Sequence, residues 1–556
     1  MIPRPFLTAF TLCCMAVFVG AWSLLWFNPV VGTVFQTTLS IALGIWWRCL
    51  VIGTILAYGI FRLDLPGRRL MLSLLVAGCM ISLGLTTVAW KAAWQSPGGW
   101  TDEVVFQLGG FWLSDSPSDS SQVRFPGPDR TSRMRGEAAV IWVHVCSLLP
   151  WATGLIGLAL CGNQGRLEDL WRTEHRAWWW WAHQSRWLAA CLLLGFWILA
   201  ITMSEIAASD IFYVRTYAEE IYLGFPLGDL PTLNPLRGDS SARFPWSVHA
   251  LAVTSTGLGL SLALFIFSAN WLHSPMSPDQ RISLGNWGRP FSLMLVIFLA
   301  LCTLIPLWDL WREVGTTVLI TETGVQPTWL WSHAVEQLLN VITRLQTEAA
   351  WSLLIATGAT LITLIASQWL AWKSLESAGF RGAIFIIMGL IWAIPSPLVG
   401  VLCLQVVEAL DWRWLRQVAN QSLTLPIAAL ILYLLPLSFT ITFLIVRRTP
   451  QSLWDVSRME YSNPILRWYH AAFRPQLIWQ LALAWFLMVT CLNDITATNL
   501  VLPAGTDTMA RRILGLVHAG VDDQVAATAL WSYGIGALLG GTVFFFLSGP
   551  DKRAAR

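Results

Sequence analysis

Two stretches of this chain carry carboxylates where they are costly. MSEIAASDI (203–211) and LNDITATNL (492–500) each follow an apolar run of about 20 residues. Each places an acid first, Glu205 or Asp494, and an acid or amide five residues later, Asp210 or Asn499. A carboxylate at membrane depth costs a few kcal/mol and normally faces a bundle interior or a water-filled cavity. Two readings follow. The four side chains line a path through a bundle, or they cap the ends of the runs that precede them.

A second pair of segments lies upstream. LEDLWRTE (167–174) and LWDVSRME (453–460) share Leu, Asp, Arg and Glu in register. The matches are Leu167 with Leu453, Asp169 with Asp455, Arg172 with Arg458 and Glu174 with Glu460, followed by His175 and Tyr461. Asp and Arg three residues apart share one face of a helix. A short charged helix outside the apolar runs suits docking to a partner. Farther on, Thr216, Ala218 and Ile221 align with Thr508, Ala510 and Ile513. Three ordered matches predict an internal duplication. An even number of spans separates the copies, so the repeat is parallel.

The elements that must hold these residues are set by composition. The chain has 556 residues, 55% hydrophobic and 12% charged, with a mean hydropathy of +0.58. Soluble chains carry about twice that charge fraction. The fold class expected is all-α, polytopic, with about twelve transmembrane helices in two tandem six-helix halves. The spans expected are 6–27, 37–61, 70–94, 138–161, 188–208, 246–268, 291–311, 349–372, 382–407, 426–446, 477–497 and 525–547. They give a first half at 1–268, a linker at 269–290 and a second half at 291–556. Lys and Arg are denser on the face that would carry both termini, which places both ends in the cytoplasm. The loops at 95–137, 209–245 and 312–347 then lie outside. The first apolar run is too long for a signal-peptide core and is expected to be retained.

Many of the 35 Trp sit near span ends, where an amphipathic ring suits the interface, and the run Trp178 to Trp181 reads as an interfacial platform. The ten Cys fall in or beside apolar runs without a CxxC, and the eight His lack ligand spacing, so neither a disulfide framework nor a metal site is expected. Lys91, Lys373 and Lys552 are the only lysines and none follows Gly, which excludes a phosphate-binding loop. No catalytic residues, metal ligands or nucleic-acid surface emerge.

In order along nearly the whole chain, the sequence resembles the permeases of ATP-binding-cassette importers, specifically the fused twelve-span ferric-iron type. FRLDLPGRRL (61–70), EIAASDIFYVRTYAEEIY (205–222), NDITATNLVLPAGTDTMARRI (493–513) and the two inner boxes carry the likeness. Asp169 and Asp455 stand where that family has Glu, and His175 and Tyr461 where it has Gly. The resemblance implies a permease in the bacterial inner membrane that alternates access for a solute, with ferric iron first among the candidates. An extracytoplasmic binding protein would deliver the solute. A dimer of ATPase subunits on the cytoplasmic face would drive the cycle, with ATP and Mg held by those subunits and no cofactor in this chain. Asp169, Arg172, Glu174, His175, Asp455, Arg458, Glu460 and Tyr461 would form the coupling loops. Glu205, Asp210, Asp494 and Asn499 would line the path. The alternatives are an ion-coupled secondary transporter and a membrane-embedded transferase.

Overall fold

The computed structural model describes residues 4–95, 136–160, 178–227, 245–271, 284–321, 324–447 and 449–547. It is a helical membrane bundle. In chain order its helices are α1 (Arg4–Trp26), α2 (Gly32–Ala57), α3 (Arg68–Cys79), α4 (Leu83–Gln95), α5 (Glu137–Leu160), α6 (Trp178–Thr202), α7 (Ala207–Ile211), α8 (Tyr217–Leu227) and α9 (Trp246–Trp271). Then come α10 (Gly288–Gly315), a hairpin of β1 (Thr316–Thr321) and β2 (Gly324–Trp329), α11 (Trp331–Arg344), α12 (Gln346–Glu376), α13 (Ala378–Trp392) and α14 (Ser396–Leu410). The series ends with α15 (Arg413–Gln421), α16 (Thr424–Arg447), α17 (Gln451–Glu460), α18 (Pro464–Trp468), α19 (Leu477–Leu492), α20 (Met509–Ala519) and α21 (Asp522–Leu547).

Among the described residues, seven helices are long and apolar enough to cross a membrane, and two bent pairs bring the number to nine. Lipid cannot satisfy backbone polar groups, so apolar runs of this length close their hydrogen bonds within each helix. Cys14–Trp26 and Trp187–Thr202 are shorter apolar helices.

The bent pairs correct two expectations. The sequence predicted straight spans at 70–94 and 382–407. Instead α3 meets α4 at 99° and α13 meets α14 at 98°. The second break falls in AIPSP (393–397), where Pro395 and Pro397 lack the N–H groups that would continue the helix. In the first, α3 stops at Met80, and the Ser82 hydroxyl accepts the Leu85 N–H at 3.3 Å to start α4. A third correction concerns 188–208, whose helix ends at Thr202 and leaves Glu205 on irregular backbone. A fourth concerns 312–347. It is not a loop: α10 runs directly into the antiparallel hairpin, Thr316 pairing with Trp329, and α11 follows. Gly315 leaves room at that corner, because a Cβ there would press on the Trp329 indole.

Polar side chains join the helices inside the bundle. Ser367 of α12 accepts from Ser438 of α16 at 2.9 Å and meets Thr442 at 3.3 Å. Gln368 of α12 bonds Gln480 of α19. Such bonds, with close contacts at small residues, hold helices together where lipid supplies no hydrophobic drive. The α9–α13 crossing is a close one. A Cβ on Gly389 would meet Ser261 backbone at 2.7 Å, and one on Gly257 would meet the Leu390 Cα at 2.9 Å. At the other side of the bundle, Gly536 and Gly540 of α21 pack on Met80, at the α3–α4 break.

Candidate functional site

Each opening acid caps a break. Glu205 accepts the Ala207 N–H at 2.9 Å, at the start of α7. Asp494 accepts the N–H groups of Ala497 and Thr498 at 3.2 and 3.1 Å and the Thr496 hydroxyl at 3.2 Å. Both therefore satisfy backbone N–H donors at the start of the segment that follows each break. They also meet in space. Glu205 and Asp494 line one cavity of about 150 Å³ and are close enough for the charge of one to act on the other. The two readings of these acids are not exclusive: capping holds each carboxylate at the chamber wall.

The rest of the wall comes from the helix breaks. Met80, Ile81 and Ser82 come from the α3–α4 bend and Trp392 from the end of α13. Asn493, Thr490 and Thr496 flank Asp494, while Tyr433 projects from α16 and Trp151 from α5. Among the described residues, the lining holds two carboxylates and no Lys, Arg or His. Its electrostatics favour a cation, and its indole and phenol rings add faces that attract positive charge. A second, apolar crevice of about 340 Å³ shares Cys79, Trp151, Trp197, Trp392 and Leu437 with the chamber. It continues to Phe61, Phe267 and Leu444, near the ends of α2, α9 and α16.

The residues five positions on do different work. Asp210 faces His518 of α20, Oδ2 to Nε2 at 3.1 Å. Asn499 donates from Nδ2 to the Tyr222 hydroxyl of α8 at 2.5 Å. Each thus reaches from one half of the sequence to the short helix of the other. Burial raises the Asp210 carboxyl above its ordinary value, while His518 pulls it down. Nearby Glu219 is pushed up to about 7, by burial first and then by the charges of Asp210 and Glu220.

The short helices α8 and α20 are anchored alike. The Thr216 hydroxyl accepts the Glu219 N–H at 3.4 Å, and the Thr508 hydroxyl accepts the Arg511 N–H at 3.3 Å. The next N–H in each, of Tyr217 or Met509, donates to a hydroxyl of a long helix: Thr38 of α2 at 3.0 Å, or Ser352 of α12 at 2.9 Å.

Of the two boxes, 167–175 lies outside the described residues, so nothing is added for Asp169, Arg172, Glu174 or His175. The side chains of Trp178 to Trp181, which open α6, also lie outside them. The second box forms α17 as predicted, with Glu460 exposed at its last position. Arg458 is an exposed partner of Asp455 at 3.7 Å on its own helix. Tyr461 stacks on His470 with ring centroids 4.5 Å apart. The sequence reading missed the apolar edge of α17. Leu453, Val456 and Met459 are exposed, Met459 at 87%, and their spacing of three was visible in the sequence. It also missed Tyr433 and Asn493. Tyr433 was detectable as a polar group in an apolar run, and Asn493 as the neighbour of Asp494.

Two cations in or near spans are also placed. Lys91 pairs with Asp522 of α21 at 3.1 Å. Arg48, on the exposed side of α2, donates to the Gly44 carbonyl at 2.9 Å. Among the described residues, no group of three or more His, Cys, Asp or Glu is arranged to hold a metal ion. No family model matches this sequence, and no curated protein matches it.

Proposed function

We propose that this chain is the membrane permease of an ATP-binding-cassette importer, built from two parallel six-span halves around one path for a cationic solute. The observation that carries this reading is the paired anchoring of α8 and α20. In both, a Thr cap and the next backbone N–H fix a short helix to a hydroxyl of the second long helix of its half. The order of elements agrees with it: a bent third span, a long fourth, a fifth that ends in an acid-capped break, a short helix and a last span. Twelve spans follow if α1, α6 and α21 cross as well. Symmetric halves suit a symmetric ATPase dimer, which offers two docking clefts.

The chamber between Glu205 and Asp494 is then the solute's passage, and Asp210–His518 with Asn499–Tyr222 closes the seam above it. Helix α17, with its exposed apolar edge, is one of two surfaces for the ATPase. A binding protein would load the chamber from the opposite face. Two carboxylates in one chamber also favour the ion-coupled carrier as a second reading, and energy source separates the two.

Reconstitution with a candidate importer ATPase and a candidate binding protein tests the proposal. ATP-dependent accumulation of ferric iron, or of thiamine or spermidine as alternative cations, is expected. The Glu205→Gln/Asp494→Asn variant should lose at least about tenfold of that rate while keeping the ATPase bound. Accumulation driven by a proton gradient without ATP would replace this reading with the carrier. Transport of sulfate instead would overturn the assignment of a cationic solute.

A further inference from the structure

A basic pocket of about 340 Å³ lies at the end of the bundle that carries α17, away from the chamber. Four arginines line it: Arg381 of α13, Arg447 of α16, Arg458 of α17 and Arg467 of α18. The one acid in the lining, Glu376, is held by Lys373 at 3.0 Å, and Arg458 has Asp455. That leaves Arg381, Arg447 and Arg467 with no carboxylate partner among the described residues. Arg381 and Arg447 are near enough for their charges to repel.

Like charges are not gathered in a half-enclosed site without cost, and the cost falls when an anion sits between them. Two further atoms point the same way. The Thr449 hydroxyl lines the pocket, is 7% exposed as a residue, and has no hydrogen-bond partner among the described residues. The buried Nε of Arg467 has none either. A buried polar group left unmatched costs about 1–3 kcal/mol. Arg381 uses Nε on the Ser374 carbonyl at 2.8 Å, which orients its guanidinium and leaves the two terminal nitrogens to bind. Trp372 and Trp454 complete the wall with rings suited to a membrane–water boundary.

We propose that this pocket is a binding site for a phosphate-bearing anion, held by the Arg381 and Arg447 guanidinium groups with Thr449 as a neutral donor. Planar guanidinium groups match phosphate oxygens in pairs, a geometry that a lysine would not supply. The phosphate can belong to an anionic lipid headgroup or be free in the aqueous phase. The site does not depend on the transport reading above.

The full chain, purified and delipidated in detergent, provides the test through its thermal unfolding midpoint. Phosphatidylglycerol, phosphatidylcholine and inorganic phosphate are titrated separately. Near saturation, a bound ligand should raise the midpoint by about 3–5 °C. A rise with phosphatidylglycerol alone identifies the lipid headgroup, and a rise with inorganic phosphate as well identifies a free anion. Either rise should vanish in Arg381→Gln/Arg447→Gln and survive in Arg413→Gln, which alters α15. Thr449→Val keeps every charge and should raise the half-saturating concentration by roughly tenfold, which covers the case in which the double variant does not fold. No rise with either phosphate source, an equal rise with phosphatidylcholine, or a rise that persists in the double variant overturns the proposal. An unchanged half-saturation in Thr449→Val does so as well.

Discussion

Glu219 shows how a single side chain on the outer side of the site couples to pH. Its carboxyl is pushed from 4.5 up to about 7, because burial disfavours the charge and Asp210 repels it. The fold therefore holds a proton there that the unfolded chain has already lost. Stability must fall as pH rises from about 4.5 through about 7, since the folded state binds more protons across that window. Glu219→Gln removes the titration. The variant is expected to be more stable than the parent at pH 8, by about 1 kcal/mol after allowance for solvent screening of a partly exposed group. The gap should close by pH 5. Thermal unfolding at the two pH values measures it, and an equal gap at both would count against the burial of this carboxyl. At the same scale, the sequence singled out Glu205 and Asp494 but not the contacts each makes. Glu205 and Asp494 read as either lining or capping, because the reach of a carboxylate to a backbone N–H two or three residues on cannot be seen until the helix break is known.

Helix breaks and helix anchors decide the site at the scale of elements. Thr38 and Ser352 each give a hydroxyl to a buried backbone N–H. Thr38→Val and Ser352→Ala leave that donor unmatched, so each should destabilise by about 1–3 kcal/mol, and by similar amounts if the halves are equivalent. Denaturant or thermal unfolding of both variants is the check, and a large cost in one with none in the other would argue against equivalence. The α9–α13 crossing makes a second case. Gly389→Leu has no room beside Ser261 backbone and should lower the yield of folded protein sharply, as read by size-exclusion profile, whereas Gly379→Leu should be tolerated because nothing lies within 4 Å. Apolar runs revealed most of these helices, since length and hydropathy report spanning segments directly. They did not reveal the bends of 99° and 98°, because an apolar window averages over a Pro or Ser that stops hydrogen bonding locally. Nor did they reveal the β1–β2 hairpin, whose strands were hidden in an outer segment read as irregular.

The whole molecule is a helical membrane bundle with a carboxylate-lined chamber, and under the proposed function an ATPase acts at its far end. Topology follows from it. Cysteine labelling should reach position 120 from outside and positions 170 and 456 from inside, and outside labelling at 456 would reverse the orientation. The sequence led to the expectation of a repeat through pairs such as Thr216 with Thr508. It could not show that Asp210 reaches His518 and Asn499 reaches Tyr222, because such contacts join residues far apart in the chain. It directed attention to Arg458 as the docking contact, whereas α17 also offers Leu453, Val456 and Met459. The most direct test of the account is therefore co-purification of the ATPase subunits with the full chain. The parent should retain them. Arg172→Glu or Arg458→Glu should each weaken retention in part, and the two together much more, since truncating a partly buried charge contact costs about 2–5 kcal/mol. Val456→Asp/Met459→Asp should do the same through the apolar edge, with membrane insertion intact throughout. Full retention of the ATPase by both double variants would contradict the claim that these two boxes couple the chain to an ATPase.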